Sequence, residues 1–525
     1  MNQKTLLMLF LSKIPSVLLS LVCAVSASRA QQPPLSTNDS LLVSRILRAE
    51  DERDASSPAL AEGVASADAR IQLIARRAKS RIGDPKFASR DSFPPLAAPP
   101  AYADPAWRLR YRALKAADCV PLRGALADSG WAVRLHAADL VGKECASDSL
   151  LVKAMITWVR SAPPNARRFR GGVSWHPAAH GILALARIRP DVARHMLPPL
   201  VRNPVPWLRD YAARAAAIVG DTATLRTLAD DANDNVREAA IDGLAAVAKH
   251  AADDVYLRVL GVGPGQRMPG YQTVRAAARA VAGSPRKEAV LRNALQVASR
   301  LKADSSETSR DTRLELLKRI DETVDAAHVG PVVLLAEDFD CVVAQAAATI
   351  AARFGPASGT APRCTKLPVR LPPDAVALAL GGEQRLRVVL ADSSGGGSFV
   401  VRVRGDVAPI MAARILELAR SHYYDGLTWQ RVEPDFVIQG GSPRANEYVG
   451  NSRFIRDELG TVPHVRGTVG MSTRGHDTGD AQWFVNLRDN LRLNRDYSIF
   501  GEVIEGIDVV DGVLEGDVIA RIEVL

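Results

Sequence analysis

Hydrophobic positions recur along this chain with two different periods. Between about residues 41 and 355 they return three and four apart, in a background rich in Ala, Leu, Val and Arg. Within that stretch a short pattern repeats: an aliphatic residue, then Arg, then small and apolar residues. It starts at Val133-Arg134, Leu208-Arg209, Val236-Arg237 and Val274-Arg275, with weaker copies near Ile71, Leu314 and Val343. Val236 and Val274 lie 38 residues apart, and Val133 and Leu208 are 75 apart, close to twice that, although Leu208 to Val236 is only 28. Such recurrence predicts antiparallel helix pairs stacked into a superhelical solenoid, with Ala positions letting neighbours approach. From Phe399 the period shortens to two. Runs at 399–404, 454–456, 468–471, 483–486, 498–503 and 518–524, with helices over 409–419 and 507–513, predict a closed antiparallel β-barrel capped by two helices. The connecting 355–373 stretch is rich in Pro, Gly and small residues and reads as a linker. Runs at 376–380 and 386–390 read as strands of an extra hairpin.

The first thirty residues fit neither pattern. Lys4 precedes an apolar region, and Ser28-Arg29-Ala30 places small residues where a cleavage site needs them, so 1–30 is expected to be a secretory signal peptide. The apolar run is broken at Ser12-Lys13 and is shorter than the roughly 20 residues a membrane span requires. The expected organisation is multi-domain: signal peptide 1–30, all-α solenoid 41–355, Pro/Gly-rich linker with its hairpin 356–398, and barrel domain 399–525. Export to the periplasm or cell envelope follows, with no stable membrane span after leader removal and no nucleic-acid partner.

Charge divides the chain unevenly. From residue 398 onward there are 14 Arg, no Lys and 19 Asp plus Glu, a net of −5, which leaves +14 for the remainder of a +9 chain. Without Cys23 of the leader, four cysteines remain: Cys119, Cys145, Cys341 and Cys364. In an exported chain these permit two disulfides between sequence neighbours or, equally, four buried thiols. No zinc spacing is present, and His136, His176, His180 and His195 show no carboxylate or ligand spacing that would make the solenoid an acid–base enzyme.

One stretch is chemically dense: YDGLTWQRVEPDFVIQGG, residues 424–441. It resembles, without a gap, the signature of the cyclophilin-type peptidyl-prolyl cis/trans isomerases. Gly467-Thr468-Val469-Gly470-Met471-Ser472, Gln482-Trp483-Phe484 and 493–501 follow at the family's spacing. The resemblance spans 399–525 and implies a cyclophilin-like fold, no metal, no cofactor, and proline-containing protein clients. It also implies roles. Arg431 would donate to the prolyl nitrogen, Phe436 would grip the ring, and Gln439 would hold the substrate backbone. Val437, Phe484 and Leu493 would line the pocket with Tyr497 at its rim, and Ser472, Thr473 and Gln482 would flank the bound segment. The chemistry agrees with these residue types. Peptide rotation meets a barrier of about 18–20 kcal/mol because nitrogen conjugates with the carbonyl. Lowering that barrier takes a donor to nitrogen, an apolar grip and backbone anchors. Along an alternating strand Arg431 and Gln439 share a face, whereas Phe436 breaks the parity unless Pro434-Asp435 bends the chain. Departures from the family pattern are Arg492 for a common Trp, Tyr497 for a common His, Ser472-Thr473 for Ala-Asn, and Val437 for Met.

The helical pattern resembles HEAT repeats, best over Asp234-Asn235-Val236-Arg237-Glu238-Ala239-Ala240. That resemblance implies that Arg134, Arg209, Arg237 and Arg275 form a structural ladder between repeats, and that the solenoid docks a client or partner protein. The function expected is an exported prolyl isomerase. The alternative is a non-catalytic scaffold that grips proline segments.

Overall fold

The computed structural model describes residues 35–83, 98–164, 174–263, 265–302, 309–355, 361–364, 371–372, 374–451 and 454–525; the expected leader and most of the 355–373 stretch lie outside them. The described helices form a two-layer array. Its first layer runs Ala106–Ala113, Trp131–Asp139, His176–Ile188, Pro206–Val219, Asp234–Val247, Tyr271–Ala280, Ser309–Thr323 and Cys341–Ala352, each packed on the next. The intervening helices, from Cys119–Ala125 to Val329–Leu335, cover it from one side. Local sequence explains the units. Pro206 opens its helix at the first turn and Gly220, at φ 72°, closes it in the left-handed region. Asn233 caps the following one by accepting from the Asn235 and Val236 N–H groups. Ala212, Ala213, Ala215 and Ala216 are fully buried where helices meet.

Three of the four ladder arginines make the same bond. Arg134 donates to the Asp128 carbonyl, Arg209 to Asn203 O at 2.8 Å and Arg237 to Asp231 O at 2.5 Å, each six residues back. Arg209 also chelates the Asp231 carboxylate at 2.7 and 2.9 Å, tying one turn to the next. Arg275 departs from the expectation. It donates to the Tyr448 hydroxyl at 2.8 Å, because the 445–448 loop lies across this part of the layer, where Asn235 also meets Ala445 O.

Eight strands, β1 (Gln384–Leu390), β2 (Ser398–Val403), β3 (Arg431–Glu433), β4 (Val437–Gly440), β5 (Thr468–Met471), β6 (Trp483–Asn486), β7 (Ile499–Glu505) and β8 (Ile519–Val524), form one antiparallel sheet in the order β3-β4-β6-β5-β7-β2-β1-β8. By strand pairing this is half a barrel rather than a closed one. Among the described residues the two edges meet through the segment ahead of β3 and the start of β8, where Thr428 bridges Val518, Trp429 N donates to Asp517 O and Ile519 N to Leu427 O, both at 2.8 Å. Helices Pro409–Arg420 and Ile507–Gly512 accompany the sheet. The 386–390 run is no added hairpin, since β1 sits between β2 and β8 inside the sheet. The 376–380 run is helical, over Ala375–Ala379, with Ala375 and Leu378 buried beside the Pro409–Arg420 helix. Residues 454–456 contribute a single bridge, Ile455 to Gly479.

Two hydrophobic cores divide the chain differently from the expected boundaries. One runs from Leu122 to Ala351 through the array. The other joins the sheet to the helices Thr37–Glu52, Pro58–Val64 and Ala69–Gly83, through Leu42, Ile46, Ile71 and Ile74. The first helices of the expected 41–355 solenoid therefore belong with the sheet. Arginines of the N-terminal helices and their flanks donate to carbonyls of the 399–525 region: Arg53 to Asp457 O at 2.6 Å, Arg81 to Leu459 O and Val407 O at 2.7 Å, and Arg108 to Leu487 O at 2.8 Å. Part of the charge asymmetry is thus spent within the molecule. Cys119 pairs with Cys145 and Cys341 with Cys364. No helix among the described residues is long and apolar enough to cross a membrane.

Candidate active site

β3 and β4 are the arms of a hairpin whose turn is Pro434-Asp435-Phe436, with Phe436 N donating to Glu433 O at 2.8 Å. Arg431 and Gln439 are partners across that hairpin, not neighbours along one strand. The parity difficulty at Phe436 is resolved because the bend is a complete reversal. The row continues: Gln439 lies opposite Phe484 on β6, and Phe484 opposite Gly470 on β5. Cross-strand partners project to one face. Guanidinium, amide and phenyl ring therefore form a line across the sheet that ends on a glycine. Val437, two residues from Gln439 and 2% exposed, shares that face.

Glycine at 470 is required by close approach. A Cβ there would stand 2.5 Å from Phe484 Cζ. The ring is 4% exposed, edge-on to Tyr497 at 5.8 Å and stacked with His464 at 6.1 Å. Tyr497 N in turn donates to Leu493 O at 3.2 Å, which brings the half-buried Leu493 and Tyr497 to the same rim. The Phe436 carbonyl is fixed by Leu487 N at 2.9 Å and Asn490 Nδ2 at 3.0 Å. Its ring lies 5.8 Å from the Arg431 guanidinium and 4.5 Å from that of Arg492, which covers it in a cation–π contact.

Gln439 is buried and its amide is oriented. Nε2 donates to Ser472 Oγ at 3.0 Å and to Gln482 Oε1 at 3.1 Å, while Gln482 Nε2 donates to Val449 O at 3.1 Å. What remains for a ligand is the Gln439 oxygen, an acceptor 3.5 Å from Arg431 Nη1. Thr473 is half-buried, and its backbone N–H and C=O bond to no described residue, so a docked segment can pair with them.

Arg431 is 38% exposed and held by two carboxylates. Nε donates to Glu433 at 2.9 Å and Nη1 lies 3.2 Å from Glu447. Glu447 also meets Arg474 at 3.0 Å, and Arg474 reaches Asp311 of the array at 3.3 Å. A chain of alternating charges thus links the array to Arg431. Glu447 and His464 lie outside the motifs read from sequence, and Gly470 lies inside one without an assigned role. A glycine inside a β-prone run signals close backbone approach and marks Gly470. His464, beside Pro463 and Val465, carries no such signal. Burial pushes its imidazole down to about 4, against the opposing hydrogen bond to Asn494, so it is a neutral wall at physiological pH.

Beside this line, and reaching Gln430, Arg431 and Glu447, a cleft of about 700 Å³ opens between the sheet and the Pro206–Val219 and Asp234–Val247 helices. Phe436 and Phe484 lie outside its lining, so it is distinct from the aromatic pocket.

Residues 388–522 match the family model described as "Cyclophilin type peptidyl-prolyl cis-trans isomerase/CLD". "Peptidyl-prolyl cis-trans isomerase B" of Bacillus subtilis is 35% identical over 131 residues, which cover 25% of this chain and 92% of that protein. A "Peptidyl-prolyl cis-trans isomerase" of Helicobacter pylori is 34% identical over 119 residues, 22% of this chain and 73% of its own. One of Acinetobacter baylyi is 32% identical over 149 residues, covering 26% and 79% respectively.

Proposed function

This chain belongs to the cyclophilin-type peptidyl-prolyl cis-trans isomerases, and we propose that it accelerates X-Pro rotation in exported protein clients through the line Arg431, Gln439 and Phe484. In this reading Arg431 donates to the prolyl nitrogen as its lone pair leaves conjugation, which is the step that lowers the barrier. Phe436, Val437, Phe484, Leu493 and Tyr497 hold the proline ring. Gln439, with Ser472 and Gln482 behind it, and the Thr473 backbone hold the flanking chain. The half-barrel would be completed where Leu427 meets Ile519 at the start of β8 and Trp429 meets Asp517 just before it. No proton moves and no bond forms or breaks, so the site serves any client whose proline reaches it.

The observation that carries this reading is the row itself: Arg431 and Gln439 of one hairpin and Phe484 from a separate strand stand in register on one face, over a glycine that leaves room for the ring. Export is supported by the leader pattern over 1–30 and by the two cysteine pairs, which suit an oxidising compartment. The two-layer array, read as HEAT-like, supplies a client- or partner-docking surface beside the site. One observation favours the second reading, a scaffold that grips proline segments without turning them: Glu433 and Glu447 already engage the guanidinium.

The test is refolding of a reporter protein limited by a proline step. Catalytic amounts of the full chain shorten the slow phase under the first reading. Stoichiometric binding without acceleration supports the second. Localisation is tested separately, by fractionating cells that express the native chain.

A further inference from the structure

The buried amides of the site take their sense from one backbone carbonyl. Gln430 and Gln439 both donate through Nε2 to Gln482 Oε1, at 3.0 and 3.1 Å, and Gln482 Nε2 donates to Val449 O at 3.1 Å. A side-chain amide can turn end for end, and a hydroxyl donates or accepts as its partner requires. Gln430 and Ser472 therefore do not decide which atom of Gln439 faces a ligand. A backbone carbonyl can only accept. Val449 O thus holds Gln482, and through it Gln439, in the sense that leaves the Gln439 oxygen free. Among the described residues the other group of fixed sense here is the Arg431 guanidinium, at 3.5 Å.

Val449 follows a loop, 442–448, that contains no strand and is closed by a few local bonds. Asn446 N donates to Ser442 Oγ at 3.3 Å and Tyr448 N to Asn446 Oδ1 at 2.8 Å. Between them Ala445 stands at φ 51°, in the left-handed region that a Cβ disfavours. The array supplies what the loop lacks. Asn235, at the second position of the Asp234–Val247 helix, donates through Nδ2 to Ala445 O at 2.9 Å and Arg444 O at 3.3 Å. Its Oδ1 accepts from Asn446 Nδ2 at 3.2 Å and from Gln272 Nε2, on the next helix of the layer, at 2.8 Å. All four bonds of this amide are filled, and three of them go to the loop. Arg275 adds its bond to the Tyr448 hydroxyl at 2.8 Å. Glu447 has a separate tie, through Arg474 to Asp311.

We propose that Asn235 of the array is a positioning residue of the isomerase site: it holds the 444–448 loop so that Val449 O keeps the Gln482–Gln439 pair with its acceptor toward the substrate backbone. The proposal rests on the isomerase reading, since it concerns how Gln439 meets the substrate. The array is then part of the framework of the site, beside any docking it provides.

The test uses the full chain and one Ala-Pro peptide, with kcat and KM read by exchange spectroscopy, peptide Kd by titration, and Tm for each variant. Asn235→Asp is the diagnostic change. A carboxylate in the first turn suits the helix, and it still accepts from Gln272 and Asn446, but it cannot donate to the Ala445 carbonyl. KM and Kd are expected to rise about five- to tenfold, with kcat within about twofold, because Gln439 grips ground state and transition state alike. Tm is expected to stay at or above that of wild type. Asn235→Ala gives the same rise in KM with a lowered Tm. In a Gln482→Leu background, where the relay is already cut, Asn235→Asp leaves KM and Kd where Gln482→Leu alone puts them. Unchanged KM and Kd in Asn235→Asp overturn the proposal, as does a rise that comes only with a fall in Tm, or one that adds in full to Gln482→Leu. A wild type that binds the peptide without turning it over would count against the isomerase reading alone, and the Kd comparison would still decide the role of Asn235.

Discussion

Gly470→Ala tests whether the aromatic pocket depends on the glycine that ends the row. The added Cβ would meet Phe484 Cζ at 2.5 Å and both Cε atoms at 3.0 Å. Ordinary carbon contact begins near 3.5 Å, so ring and strand must part by about an ångström. The ring has little room to retreat, with His464 stacked on it and Tyr497 against its edge. Overpacking of this kind costs roughly 1–3 kcal/mol of stability. Misplacing a substrate-binding group by about 1 Å costs on the order of 100-fold in rate. The variant is therefore expected to fold, with a lowered Tm, and to lose about two orders of magnitude in kcat/KM on an Ala-Pro peptide. A second variant, Gly470→Ala with Phe484→Leu, recovers Tm by making space without recovering turnover. Peptide kinetics within twofold of wild type in Gly470→Ala would mean that the ring is not the wall of the pocket.

Three further outcomes follow from other contacts. Glu447→Gln removes one of the carboxylates on Arg431, at 3.2 Å, and is expected to raise kcat/KM about two- to fivefold given the exposure of the pair; a fall would make Glu447 a positioning group instead. Burial holds the Glu515 carboxyl at about 7 in the folded chain against 4.5 when unfolded, so its contribution to stability is complete below 4.5 and lost as pH rises through 7. Glu515→Gln should accordingly raise Tm relative to wild type at pH 8 and leave it nearly unchanged at pH 5, and a larger gain at pH 5 would contradict the assignment. Opening the Cys119–Cys145 pair, whose ends are 26 positions apart in sequence, by Cys119→Ser with Cys145→Ser should cost about 3 kcal/mol in denaturant unfolding; no change in midpoint would mean that the pair does not form.

Local chemistry was legible in the sequence, and long-range partnership was not. The 424–441 stretch carries its own hairpin, and strand pairing then brings Phe484 and Gln482 to it from β6. The Arg134, Arg209 and Arg237 bonds reach only six residues back, so a repeating motif announces them. Leu42, Ile46, Ile71 and Ile74 show the same helical period whether they face an array or a sheet, and only tertiary burial assigns them to the sheet core. Arg275 matches the ladder pattern yet bonds Tyr448, 173 residues away, because the loop crossing its helix decides its partner. The 376–380 run is too short for its period to separate strand from helix, and Ala favoured helix. Glu447 and His464 become visible only through the side chains they touch, Arg431 and Phe484.

The central claim is that Arg431 lowers the rotation barrier by donating to the prolyl nitrogen. Its most direct measurement is the cis-to-trans rate of an Ala-Pro peptide with wild type, Arg431→Lys and Arg431→Ala, each checked for unchanged Tm. Loss of one charge-assisted donor aimed at the transition state costs about 100- to 1,000-fold. A loss of that order is expected in Arg431→Ala, with Arg431→Lys in between and peptide affinity nearly unchanged. Equal rates in wild type and Arg431→Ala would contradict it.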